Sequence, residues 1–182
     1  SEVERIEEEL RREIEKVDRD NKKIVDEARR SIDELRKDVE DILRDLRRLV
    51  DEVEKMARRG EVDEETVKEI ERRLEKLLRE IEEKSRRHLE RLEERLRKVH
   101  KENREVEKRL KERLEEVRRR GLSEELLKRV EDVVDEVRKR LERIDEKTRK
   151  AVKEVTDRND ELLKRVREVV KEVRARLEEI RR

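Results

Sequence analysis

Apolar residues recur at intervals of 18 along three separate stretches of the chain. Ile6, Ile24 and Ile42 make one such lane, and Ile14, Ile32 and Val50 another. Leu74, Leu92 and Leu110 run beside Leu78, Leu96 and Leu114. In the last third, Leu126, Ile144, Leu162 and Ile180 keep the interval, as do Val134, Val152 and Val170 and Val137, Val155 and Val173. An α-helix has 3.6 residues per turn, so 18 residues are five whole turns and each lane holds one angle on a straight helix. A strict seven-residue repeat would drift and impose a left-handed supercoil. The interval therefore predicts nearly straight helices, each carrying an apolar stripe to be buried against another helix.

Two glycines divide the pattern. Gly60 follows "RR" at 58–59 and Gly121 follows "RRR" at 118–120. Glycine just past a helix end takes up the left-handed conformation without steric penalty, so both should show positive φ. Val62 and Leu122 can cover the helix ends beyond them. Asp63, in "GEVDEE", and Ser123, in "GLSEE", are placed to cap the next helix, and Ser1 before Glu2 repeats the start signal. Glutamates in the first turns and arginines in the last suit the helix dipole. The expected helices are about 2–59, 64–120 and 124–181, each roughly 85 Å long at 1.5 Å per residue. Connections this short make neighbours antiparallel. The expectation is a single all-α, up-down-up, three-helix bundle over residues 1–182.

Composition alone would allow other answers. Charged residues make up 62% of the 182, which suits a disordered chain or a free-standing helix. Neither needs an apolar stripe kept in phase three times over. The net charge is only +1, with both signs well mixed, and no aromatic residue is present to stack a base, so no nucleic-acid partner is expected. Unbroken apolar runs reach only two residues, which predicts no membrane span and no secretory signal, and a soluble chain suited to cytoplasmic expression. There is no cysteine and hence no disulfide.

Three helices of matched length, near-identical minimal loops, Glu/Arg/Lys surfaces and Val/Leu/Ile cores resemble a computationally designed helical bundle. Natural three-helix modules such as spectrin repeats share the topology but usually carry core aromatics and less regular helices. The resemblance spans the whole chain. It implies a scaffold or assembly component with no natural biochemical function or localisation, no enzyme activity and no cofactor. It also implies buried hydrogen-bond networks that fix pairing and register.

Several lanes are interrupted where such networks would lie. Asn159 stands between Leu141 and Leu177; Asn21 between Val3 and Val39; Ser85 and Asn103 follow Val67. His88 separates Ile70 from Val106, Thr148 separates Val130 from Val166, and Ser31 lies beside the core between Glu13 and Leu49. Folding the chain back at each glycine gathers these residues in the middle third. Asn21, His100 and Asn103 fall at one level, near Asp145 and Thr148. Ser85, His88, Thr156 and Asn159 fall at a second, with Ser31 and Asp38 in reach. Asn159 should be buried and bonded to Ser85 or His88. An unpaired buried amide costs about 1–3 kcal/mol, whereas a satisfied network is tolerable and penalises slipped packings.

The histidines invite sharper readings. His88 and His100 are 12 residues apart on one helix, roughly 18 Å, too far to share a metal ion. His100 near Asp145 resembles an orienting pair, but no Ser or Cys nucleophile accompanies it. As neutral buried network members, both could make the bundle pH-responsive, although pairing with Asp145 would reverse the sign for His100. No partner is required. The widened stripes through Val25, Leu43, Leu49 and Met56, and through Leu127, Val134, Val152, Leu163 and Val170, admit either a closed core or a groove. A groove would take a helical partner, as in a split four-helix bundle, or allow self-association.

Overall fold

The computed structural model describes residues 1–181. It contains three helices, α1 (Glu2–Arg58), α2 (Glu64–Arg119) and α3 (Glu124–Arg181), each uninterrupted. Their ends follow the expected chemistry. Gly60 and Gly121 both have φ of 68°. At the end of α1 the Glu61 amide donates to the Met56 carbonyl at 3.0 Å and Gly60 donates to Ala57 at 3.1 Å, which closes the helix in a Schellman motif. Val62 and Leu122 are half-buried over the ends they follow, and Leu122 packs against the apolar core.

Each helix start finds its acceptor. Asp63 Oδ1 accepts from the Thr66 amide at 2.8 Å and from its hydroxyl at 2.6 Å. Ser1 Oγ accepts from Glu4 at 3.3 Å and Ser123 Oγ from Leu126 at 3.4 Å. These bonds satisfy N–H groups that the first turn of a helix cannot pair internally.

The chain forms two compact units. Unit 1 joins Ser1–Ala28 to Arg91–Glu154. Its core is built from Val3, Ile6, Leu10, Ile14 and Val17 of α1, Val106, Leu110 and Val117 of α2, and Val130, Val133, Val134, Val137 and Leu141 of α3. Glu9, Glu13 and Glu27 pair with Arg113, Arg109 and Arg95, so each step forward on α1 is a matching step back on α2. Arg129 Nε reaches Glu7 at 2.5 Å and ties α3 to α1.

Unit 2 joins Arg29–Glu90 to the chain from Val155 on. Leu35, Val39 and Leu46 of α1, Val67, Leu74 and Ile81 of α2, and Val166, Val170 and Val173 of α3 are buried within it. Lys84 pairs with Asp38 and Arg176 with Glu54, at 2.6 Å, so all three helix segments are linked.

Not every 18-residue lane is core. Leu78, Leu96 and Leu114 are half-buried throughout, and on the Leu126 lane Ile144, Leu162 and Ile180 are half-buried while Leu126 is 37% exposed. The interval fixes a constant angle but not which angle faces the centre, and these two lanes flank the buried sector. The widened stripes divide likewise. Leu43, Leu49, Val134, Val152, Leu163 and Val170 are buried, Val25 and Leu127 are half-buried, and Met56 is 36% exposed.

Candidate functional site

In unit 1, Asn21, Asn103 and Thr148 come one from each helix and are all buried. Asn21 Nδ2 lies 2.7 Å from the Val17 carbonyl, which can only accept, so the orientation of the amide is fixed. Its second hydrogen goes to Asn103 Oδ1 at 3.1 Å. Asn103 Nδ2 returns a bond to Asn21 Oδ1 at 3.2 Å and gives its other hydrogen to Asp145 Oδ1 at 2.9 Å. Thr148 Oγ1 is 3.0 Å from Asn21 Oδ1 and 2.9 Å from the Ile144 carbonyl, and shares its one hydrogen between them. Asn21 thus uses two donors and two acceptor positions, the full capacity of a primary amide.

The cluster continues outward to the α2–α3 seam. His100 Nδ1 is 3.0 Å from Asp145 Oδ1, and Arg149 Nε is 3.2 Å from Asp145 Oδ2. Arg149 Nη2 also lies against the ring, 2.8 Å from Nδ1 and 2.7 Å from Nε2. A carboxylate only accepts, so Nδ1 carries the proton and donates to Asp145, while the guanidinium nitrogen, nearly equidistant from both ring nitrogens, lies against the ring and on neither lone-pair axis. Burial pushes the Asp145 carboxyl up, but bonds from His100 and Asn103 and the charges of His100 and Arg149 outweigh it and hold the carboxyl below the usual aspartate value. His100 is not the buried imidazole expected from its level: its side chain is 25% exposed. Its position on the seam leaves the ring part-buried, with Asp145 holding Nδ1.

In unit 2, the buried Ser85 hydroxyl donates to Asn159 Oδ1. His88 and Thr156 lie one turn along from these residues on α2 and α3 and are half-buried, with His88 Nδ1 turned inward. Asp38 pairs with Lys84 and does not join the Ser85–Asn159 pair. Ser31 is half-buried, and among the described residues no hydrogen bond reaches its hydroxyl. Its lane lies beside the core, where water can serve as its partner.

Two participants had escaped the sequence reading. Arg149 completes the carboxylate site, and its signal is the i, i+4 spacing from Asp145. Glu7 is buried against Arg129, and the steps Val3, Glu7, Leu10, Ile14 put it on the apolar face. Among the described residues no three His, Cys, Asp or Glu side chains gather as a metal ion would need, and no helix is long and apolar enough to cross a membrane.

Fold and site together define an all-α three-helix bundle with polar clusters inside an aliphatic core. A solved structure described as a computationally designed three-helix bundle is similar to this chain, with a TM-score of 0.66 and 19% identity over 98% of this chain and 87% of the other. That degree of identity carries the fold alone. Neither a known protein family nor a curated protein matches the chain.

Proposed function

We propose that the chain is a designed structural element, a scaffold or assembly component, in which the buried polar clusters set helix register. The observation that carries this reading is the Asn21–Asn103–Thr148 cluster. It draws one residue from each helix and pairs both amides reciprocally. A slip of any one helix would leave a buried donor or acceptor unpaired, at about 1–3 kcal/mol for each group, whereas an all-aliphatic core would tolerate the slip. The likeness in fold to a designed bundle, the 18-residue interval and the absence of aromatic residues support a designed origin.

A helical partner laid on an open face has less support. Among the described residues the exposed large apolar side chains are Met56 and Leu126 alone, and each belongs to a different unit.

The test replaces Asn21, Asn103 and Thr148 by Leu, Leu and Val together and compares the variant with the parent by light scattering and small-angle X-ray scattering. The parent should give one species. The aliphatic variant should keep or gain stability and populate several oligomers or packings. A variant as uniform as the parent would refute the register role.

A further inference from the structure

The polar clusters of the two units differ in one chemical respect. The buried bond of unit 2 joins a hydroxyl to an amide, and neither group titrates near neutral or mildly acid pH. The cluster of unit 1 is anchored on a carboxylate. Asp145 Oδ1 takes hydrogens from Asn103 and His100, and Oδ2 takes one from Arg149. The titratable and charged groups that act on its carboxyl are His100 from α2 and Arg149 from its own helix, and the uncharged amide of Asn21 on α1 is linked to it by way of Asn103.

His100 and Arg149 both lie within hydrogen-bond distance of the one carboxylate, and the Arg149 guanidinium also lies against the His100 ring. Acid changes this arrangement by neutralising that carboxylate. Protonation of Asp145 removes that anion. Arg149 and the His100 ring are left side by side without it, and Asn103 loses its charged acceptor.

We propose that Asp145 is an acid-sensitive latch on the α2–α3 seam of unit 1. Ionised, it clamps His100, Arg149 and Asn103; protonated, it releases them and the seam loosens, while the neutral Ser85–Asn159 pair of unit 2 keeps its bond. This rests on the reading of the unit 1 cluster as a register device and adds its regulation.

The experiment is nuclear magnetic resonance of the full chain between about pH 7 and about pH 2, a range that extends below the ordinary carboxyl titration. It follows side-chain amide signals of Asn21, Asn103 and Asn159. It also follows the His ring protons, which stand alone because the chain has no Phe, Tyr or Trp. In the parent, the Asn103 amide should shift and lose its exchange protection only as pH falls below the usual aspartate value of 3.8, because its bonds hold the Asp145 carboxyl below it, while Asn159 is unmoved. The His100 ring signals should move together with the Asn103 amide, because both groups bond to Asp145. Asp145→Asn should abolish that shared movement, and Arg149→Gln, which removes a charge that holds the Asp145 carboxyl down, should bring the acid loss of protection to higher pH. An Asn103 signal that ignores acid, or that responds alike in the parent and both variants, would overturn the latch and leave the register role standing. An Asn103 amide already unprotected at neutral pH would overturn the register role itself, and the latch with it.

Discussion

Asn21 and Asn103 exchange hydrogen bonds through both ends of their amides, at 3.1 Å and 3.2 Å, across the α1–α2 interface of unit 1. The pairing is reciprocal, so removing one member injures the other. Asn21→Leu should cost about 1–3 kcal/mol, because Asn103 keeps its buried carbonyl and loses its donor. The Asn21→Leu/Asn103→Leu double variant should recover most of that loss. Urea midpoints for the four proteins of the cycle measure the coupling, and additive costs would show that the two amides do not act as a pair.

Asn159→Leu completes a lane whose other members, Leu141 and Leu177, are buried. The single variant strips the Ser85 hydroxyl of its acceptor, so its gain in apolar burial is offset. Adding Ser85→Ala removes the orphaned hydroxyl. The double variant should be at least as stable as the parent, by about 1 kcal/mol or more over the single one. Thermal unfolding checks the order, and light scattering should show more than one species where the parent shows one.

The cap at Asp63 should be visible in acid. The Thr66 hydroxyl, and after it the Thr66 amide, donate to the Asp63 carboxylate and hold its pKa below the usual 3.8. The folded value lies below the unfolded one, so the stabilisation is complete above the unfolded pKa and is lost as pH falls through the folded one. A carboxyl carbon titration should place Asp63 below an unfolded reference. Thr66→Val, which keeps the amide and deletes the hydroxyl, should move it part of the way back. Asp63→Ala should increase exchange of the first-turn amides of α2 and leave those of α3 unchanged.

Gly60 and Gly121 share φ of 68°, and a Cβ at either would enter open space. The penalty for Ala at either position is therefore one of backbone conformation and not of crowding, about 1 kcal/mol. Asn tolerates this region better and should cost less than Ala at the same position. Equal losses for Ala and Asn in denaturant unfolding would place the cause elsewhere.

Helix number, helix ends and chain reversal were legible in the sequence because each has a local cause. The 18-residue interval sets the helical period, glycine permits positive φ, and a short polar side chain meets the free amides of a first turn. The levels of Asn21, Asn103 and Thr148, and of Ser85 and Asn159, were legible too, since two loops of nearly equal length fix the register of antiparallel helices. Which lanes lie at the centre was decided only by tertiary structure. Leu78 and Leu74 have the same period, yet one is half-buried and the other buried, because burial depends on where the neighbouring helices stand. The same holds for the polar residues. Asn21, Asn103 and Thr148 converge and His100 stops at the seam with Arg149, because a hydrogen bond needs its atoms within a few tenths of an ångström of the right separation, and spacing along a chain fixes only height and approximate angle.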